Sequence, residues 1–578
     1  MAQNLEDNKL PLEEFIKLPT TVDFNVINTD RFKLYTKDRP YLKVGTELAN
    51  GYVPVYTNKD NLPLLFEDFG SDFLGFFPEI LSPLDSKSND ASGITQILNQ
   101  PYLELSGKGV IIGLVDTGID YTKDIFKFED GTTKILGIWD QTIDGNRPKD
   151  FYYGSVYTKE EIDMALKAED PYSIVPTRDT DGHGTFLASV AAGNEEGDYI
   201  GAAPKASIMA VKLRRANEYY IDKFLLEKDN PNLYESTDYL LGIKYILDAS
   251  ELLNVPVVIC IGMGSNFSDH AGNSLFEDYI SFVSQRPGYA FITAGGNESN
   301  ARHHTQGNLT KTGNTDTIGI KVGAQDTSFS IMIIGDAYDK FSAGITSPTG
   351  EVVVRQPFRF GAQYSEKLLF EKSIITIEYY KNVNTIIFVR IKNATEGIWQ
   401  ITLFADSIIN GEYFAYLPIT GQVSPYVEFL KPVPEYTIVH PATALRSITT
   451  GAYNPSDNSL FVSSSWGPTR MPRIAPDFVA PGVGIRGIYP TGPGSMTGTS
   501  VAAAVAAGTA ALLLEWGIIQ GNIRSMDGDL IRTLLISGCR REEGVKYPNI
   551  QSGYGQLDLY RTFSVIKESS IYYNFTSF

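Results

Sequence analysis

The sequence predicts an α/β protein built on a doubly wound, mostly parallel sheet, with a β-sandwich inserted late in the chain. Three observations carry that expectation. Continuous apolar runs lie at 110–115, 255–261 and 290–294, with a shorter one at 211–213. Runs of this kind mark strands buried on both faces. Helical periodicity falls between them, at 185–192, 237–253 and 275–284. Strand and helix in alternation imply a parallel sheet whose sites gather at the carboxyl ends of its strands. From about 315 to 447 the long helical patterns stop. Short strands at 329–334, 374–379, 385–391 and 397–404 alternate with turn signals such as Ser347-Pro348-Thr349-Gly350, the texture of a sandwich.

Taken in order, 578 residues exceed one ordinary domain and suggest three or four. The first 50 or so are polar, with a short strand at 22–26. A strand at 51–56 and a helix at 61–69 follow, the helix with Leu64, Leu65 and Phe69 on one face. Residues 73–81 are apolar, 82–92 read as a turn-rich linker, and 93–105 as a surface segment with one helical turn. The α/β texture returns near Thr449-Thr450-Gly451-Ala452, runs through a buried helix at 501–514, and ends in a second helix at 529–536. The 501–514 run is expected to be too short and too rich in small residues to span a bilayer.

A net charge of −19 argues against nucleic acid or anionic membrane as the main partner. The first residues carry neither a basic nor an apolar leader region, so cytoplasmic synthesis without a secretory signal is expected. Cys260 sits in an apolar run and is expected to be a buried free thiol; two cysteines with no pairing signal suit a reducing compartment.

Four residues are candidates for chemistry. Ser500, in Gly498-Thr499-Ser500-Val501, falls at the start of the 501–514 helix, where free N–H groups favour a developing anion. Asp116 closes the 110–115 strand, though a turn or cap aspartate is the ordinary alternative. His183, in Asp181-Gly182-His183-Gly184, is one of five histidines and stands between glycines at a helix start. Asn297, in Ala294-Gly295-Gly296-Asn297-Glu298, could donate its amide to an oxyanion, or merely occupy a turn. Together they supply nucleophile, base, orienting acid and oxyanion donor in the chain order Asp, His, Ser. Position 502 is alanine, so the nucleophile elbow of α/β-hydrolases is not present.

Three blocks resemble the signatures of the subtilase family: Val115-Asp116-Thr117-Gly118-Ile119-Asp120, Gly182-His183-Gly184-Thr185, and Gly498-Thr499-Ser500. Gly201-Ala202-Ala203-Pro204, Ser464-Ser465-Trp466-Gly467-Pro468 and Ala475-Pro476-Asp477-Phe478 match further landmarks. One departure stands out: after the serine the family usually continues Met-Ala-Ala-Pro-His, and here the chain reads Val501-Ala502-Ala503-Ala504-Val505. A narrower resemblance, to the clostridial Csp germination proteases, rests on Ile138-Trp139-Asp140-Gln141-Thr142 and Gly296-Asn297-Glu298-Ser299-Asn300-Ala301-Arg302-His303-His304.

The resemblance implies a subtilisin-like fold with an α+β propeptide at 1–86, a catalytic domain at 87–314 and 448–578, and a jelly-roll insert at 315–447. It implies autocleavage between Leu81 and Ser92, and an S1 pocket bordered by Met263, Gly264, Ala294, Gly295 and Gly296. It further implies a protein substrate, a spore cortex-lytic hydrolase zymogen, and packaging into the spore. A propeptide-inhibited scaffold and a general degradative protease are the alternatives. No cofactor is expected. His303 and His304 lack the spacing of a metal site, and Asp120, Asp140 and Asp181 are the residues through which calcium could enter.

Overall fold

The computed structural model describes residues 10–37, 39–69, 73, 76–83, 92–100, 102–195, 199–324, 327–381, 383–471 and 473–568. At its centre is an eight-stranded sheet. Its spatial order is Phe478–Pro481, Ile448–Tyr453, Tyr289–Ala294, Val257–Ile261, Ile111–Asp116, Ser207–Lys212, Ile135–Asp140 and Ser155–Thr158. Neighbours are parallel except at the Ser155–Thr158 edge, which runs antiparallel to Ile135–Asp140. The apolar runs are buried throughout, as two-faced burial requires. This is the doubly wound, mostly parallel sheet the sequence predicts. The Ile135–Asp140 strand, interrupted in pattern by Gly137, and the short antiparallel edge were not among the expected elements.

One face is covered by two helices that belong to the site, His183–Ala192 and Thr499–Leu514, every residue of both buried. The second is almost all alanine, valine and leucine, and its small side chains let it lie close to the first. A Cβ added at Gly508 would come 2.3 Å from Ala202 Cβ and 2.7 Å from Ala191 O. Helical winding continues to Ile519, giving a 21-residue apolar stretch long enough to cross a membrane; the expectation that it is too short is corrected. Most of it, 89% of the most apolar window, is buried inside the protein, so tertiary packing accounts for its hydropathy. The opposite face carries Ser236–Leu253 and Leu275–Val283.

Residues 304–429 form two facing antiparallel sheets, of six and five strands, around a core that includes Ile331, Ile377, Val389, Trp399 and Leu403. Strand alternation produces it: Gly397–Ser407 buries every second residue from Trp399 to Ala405. At the N-terminus, Thr21–Ile27, Tyr52–Asn58 and Lys43–Val44 make a small antiparallel sheet. That sheet docks on the catalytic body: Asn25 donates to Thr237 Oγ1 at 2.9 Å and Asn217 to Thr21 O at 2.8 Å.

Of the turn-rich stretch expected at 82–92, residues 84–91 lie outside the described residues. Its first part is not a linker. Ile80–Pro83 is a strand wedged between Tyr234–Glu235 and Met263–Gly264, antiparallel to both.

Candidate active site

Each candidate side chain is set by the end of an element. Asp116 terminates its strand and accepts a 2.8 Å bond from Thr117 N–H. His183 opens its helix behind Gly182, whose φ of 98° favours glycine. Asp179 caps that helix, accepting from Gly182 N–H at 2.8 Å and Thr185 N–H at 2.9 Å. Gly184 lets the helix sit on the aspartate turn: a Cβ there would fall 2.2 Å from Gly118 O. The result is a 2.7 Å contact between His183 Nδ1 and Asp116 Oδ1, between side chains each 2% exposed.

Ser500 is the second residue of Thr499–Leu514, and its N–H has no intrahelical acceptor. It lies on the His183 side of the sheet, with Gly262 close to both. A Cβ built on that glycine would lie 3.2 Å from His183 Cε1 and 3.3 Å from Ser500 Cβ, so imidazole and serine flank one point. Ser500 Oγ is fully buried and makes no hydrogen bond among the described residues. The departure from the usual family sequence leaves this helix uninterrupted, with Ala504 and Val505 in its interior.

Asn297 lies beside the same helix end. Its Oδ1 accepts from both Thr499 N–H and Thr499 Oγ1, each at 3.1 Å, which turns the amide NH₂ away from Thr499. Thr499 Oγ1 also accepts from Gly296 N–H at 3.1 Å. One hydroxyl therefore clamps the asparagine loop to the serine helix, a role sequence reasoning missed. The only signal for it was a β-branched polar residue at N1 of a helix made mostly of alanine, valine and leucine.

Gly264 and Gly296 face one side chain, Val439. Cβ atoms added at Gly264 and Gly296 would meet Val439 Cγ2 at 2.5 Å and Cγ1 at 2.6 Å respectively. Met263 and Ala294 are buried beside them, and Val439 N–H donates to Gly295 O at 3.0 Å. Val439, which no motif pointed to, thus stands between the two glycine walls. The antiparallel register, Ser82 opposite Gly264 and Pro83 opposite Met263, aims the N-terminal strand at Gly262 and so at Ser500.

Other candidates are dispersed. His303 Nδ1 is 2.7 Å from Glu298 Oε2, whereas His304 Nδ1 faces Val433 O at 3.0 Å and its ring stacks on Tyr416. Asp120 accepts from Thr122, Asp140 from Thr142 and Thr177, and Asp181 from His183 N–H and Asn232. No group of three or more acidic, His or Cys side chains suited to a metal occurs among the described residues. Both cysteines are free and buried. Burial, reinforced by the nearby Asp116 charge, raises the Cys260 thiol, and burial pushes Cys539 up to about 12.

Comparison with known proteins fits this geometry. The subtilase family model matches residues 107–353 and 422–555. The CspB protease of Clostridium perfringens is 31% identical, with a TM-score of 0.73, covering 83% of this chain and 97% of its own. The epidermin leader peptide processing serine protease of Staphylococcus aureus is 13% identical, with a TM-score of 0.45, over 95% of this chain and 99% of its own. A search of curated proteins gives no match. By these matches the chain belongs to the subtilase family and is a subtilisin-like serine protease.

Proposed function

We propose that Asp116, His183 and Ser500 form the catalytic triad of an endopeptidase, with Asn297 as oxyanion donor. The observation that carries this is the 2.7 Å Asp116–His183 contact, with His183 and Ser500 flanking one point at Gly262. Ser500 Oγ attacks a peptide carbonyl. His183 Nε2 takes the hydroxyl proton and returns it to the leaving amine. Asp116 holds Nδ1–H in the required tautomer and stabilises the imidazolium. The carbonyl oxygen becomes an oxyanion that the Asn297 amide and the Ser500 N–H receive.

Residues up to about 86 act as a propeptide cut by the chain's own Ser500. In support, Ile80–Pro83 lies as an added strand in the cleft, held by Gln422 at 3.0 Å to Ile80 O. The strand runs toward Ser500, so the cut falls shortly after Pro83, within the expected 81–92 range. The insert is read as a jelly roll, and the substrate as a spore cortex-lytic hydrolase zymogen, on the resemblance to the Csp proteases. N-terminal sequencing and intact mass of the wild type against Ser500→Ala test the processing. The wild type is expected to start after Pro83 with the variant full length; a full-length wild type that no fluorophosphonate labels would overturn the reading. Conversion of a purified cortex-hydrolase zymogen, with casein left intact, is the expected substrate result.

A second reading, an inhibited scaffold, has one observation in its favour. Ser500 is 0% exposed with the N-terminal strand in place. Fluorophosphonate labelling of Ser500 in the purified chain decides against it.

A further inference from the structure

The carboxylate next to Asn297 has no part in the chemistry above, yet it is deeply buried and fully engaged. Glu298 is 2% exposed. Its Oε1 accepts from Thr420 N–H at 3.0 Å, and Thr420 lies on the limb of the β insert between the strands Glu412–Tyr416 and Val427–Phe429. Its Oε2 meets His303 Nδ1 at 2.7 Å, and the His303 carbonyl accepts from Leu417 N–H of the same limb at 2.9 Å. Its own N–H donates to Ser465 Oγ at 3.0 Å, and Ser465 N–H donates to Gly296 O at 2.8 Å. The loop carrying Asn297 is therefore pinned on one side to the serine helix through Thr499, and on the other to the insert through Glu298.

We propose that Glu298 is a positioning residue for Asn297, through which that limb of the insert sets the place of the oxyanion donor. The inference rests on Asn297 being that donor. An amide that must meet an oxyanion within hydrogen-bond reach tolerates little drift, and a misplacement of about 1 Å can cost about 10²-fold in rate. Thr499 holds only the asparagine's own oxygen and Gly296 N–H; the far side of the loop has Glu298, Ser465 and the insert. The same limb presents Gln422 to Ile80 O and Ser82 Oγ in the cleft, so its position bears on substrate and on oxyanion donor together.

The test is a double-mutant cycle on the protein purified after expression of the whole sequence, with the N-terminus of each variant sequenced alongside, read as the rate of Ser500 labelling by a fluorophosphonate, whose phosphoryl oxygen occupies the oxyanion position. Glu298→Ala is expected to slow labelling by roughly 10- to 100-fold. Glu298→Gln, which keeps an acceptor for Thr420 N–H, should recover part of that loss. The double variant Asn297→Ala/Glu298→Ala should be no slower than Asn297→Ala alone, because Glu298 acts only through the asparagine. Losses that multiply in the double variant would overturn the proposal while leaving the triad reading intact. A wild type that does not label would overturn both. Should Glu298→Ala fail to fold, His303→Ala, which removes one of the carboxylate's partners, replaces it in the same cycle.

Discussion

Thr499 shows how much of an active site can depend on a residue that never meets the substrate. Its hydroxyl donates to Asn297 Oδ1 and accepts from Gly296 N–H, both at 3.1 Å. Thr499→Ala removes both bonds, and the expected result is a loss of kcat with little change in KM; Thr499→Ser, retaining the hydroxyl, restores most of it. Loss of KM alone in the alanine variant would contradict the clamp. Asn297→Ala should cost about 10²–10³ in kcat, the usual price of one oxyanion donor. Asp116→Asn should cost about 10⁴, since the amide no longer enforces the tautomer that leaves His183 Nε2 as base. The four candidates were legible because each stands in a dense local motif at an element end. Thr499, Asp179, Glu298 and Val439 were not. Their roles depend on partners 202, 6, 122 and 175 positions away or on the wall between two glycines, and spacing along the chain carries no trace of such contacts.

At the scale of elements, the serine helix makes the site possible by fitting into a very narrow space. Gly508 faces Ala202 and the Ala191 carbonyl, a backbone atom that cannot swing aside. Gly508→Ala should therefore destabilise the protein by about 1–3 kcal/mol through overpacking, although alanine is the better helix former. A fall in thermal midpoint checks this, and an unchanged or higher midpoint would show that the neighbouring helix can yield. The helix was visible in sequence because its composition is uniform. Long periodic elements were read well in general: the Ser236–Leu253 and Leu275–Val283 helices begin and end within a residue or two of the expected bounds. What escaped were short elements whose stability is borrowed. The Ile485–Tyr489 and Gly492–Met496 hairpin contains Gly487, Gly492, Gly494 and Pro493, poor strand formers held by packing on the histidine helix, where Phe186 fills the space beside Gly487. Ile80–Pro83 was split between an apolar stretch ending at 81 and a linker starting at 82, because a four-residue strand paired to two distant segments has almost no local signature.

For the molecule as a whole, the question is what keeps the N-terminal sheet on the catalytic body, and the interface contains an answer that depends on pH. Asp23 comes from the N-terminal strand and Glu235 from the catalytic body; they are 4% and 2% exposed. Burial raises both carboxyls above their ordinary values, Glu235 well above; the Asp238 charge adds to both and the Asp23 contact adds to Glu235, while Arg214 opposes both and the contact with Glu235 opposes the rise of Asp23. Asp23 Oδ2 and Glu235 Oε2 receive no hydrogen bond from any donor among the described residues, the condition in which two acceptors come to share one proton. Around them, Tyr220 donates to the Asp23 carbonyl, Tyr56 and Tyr153 are pushed up by burial and neighbouring carboxylates, and Arg214 is already paired with Asp238 at 2.7 Å. Groups raised in this way bind protons more tightly docked than free. Their contribution to docking is complete below the free carboxyl range and is lost as pH rises through the raised values. Docking should accordingly weaken from acid toward neutral pH. Asp23→Asn can donate to Glu235 without a shared proton, so its thermal midpoint should fall less steeply over that range than the wild type's, with both chains carried in the Ser500→Ala background to prevent cleavage. Parallel slopes for the two would mean that the pair is neutralised in some other way, and that pH does not loosen the N-terminal sheet from the protease beneath it.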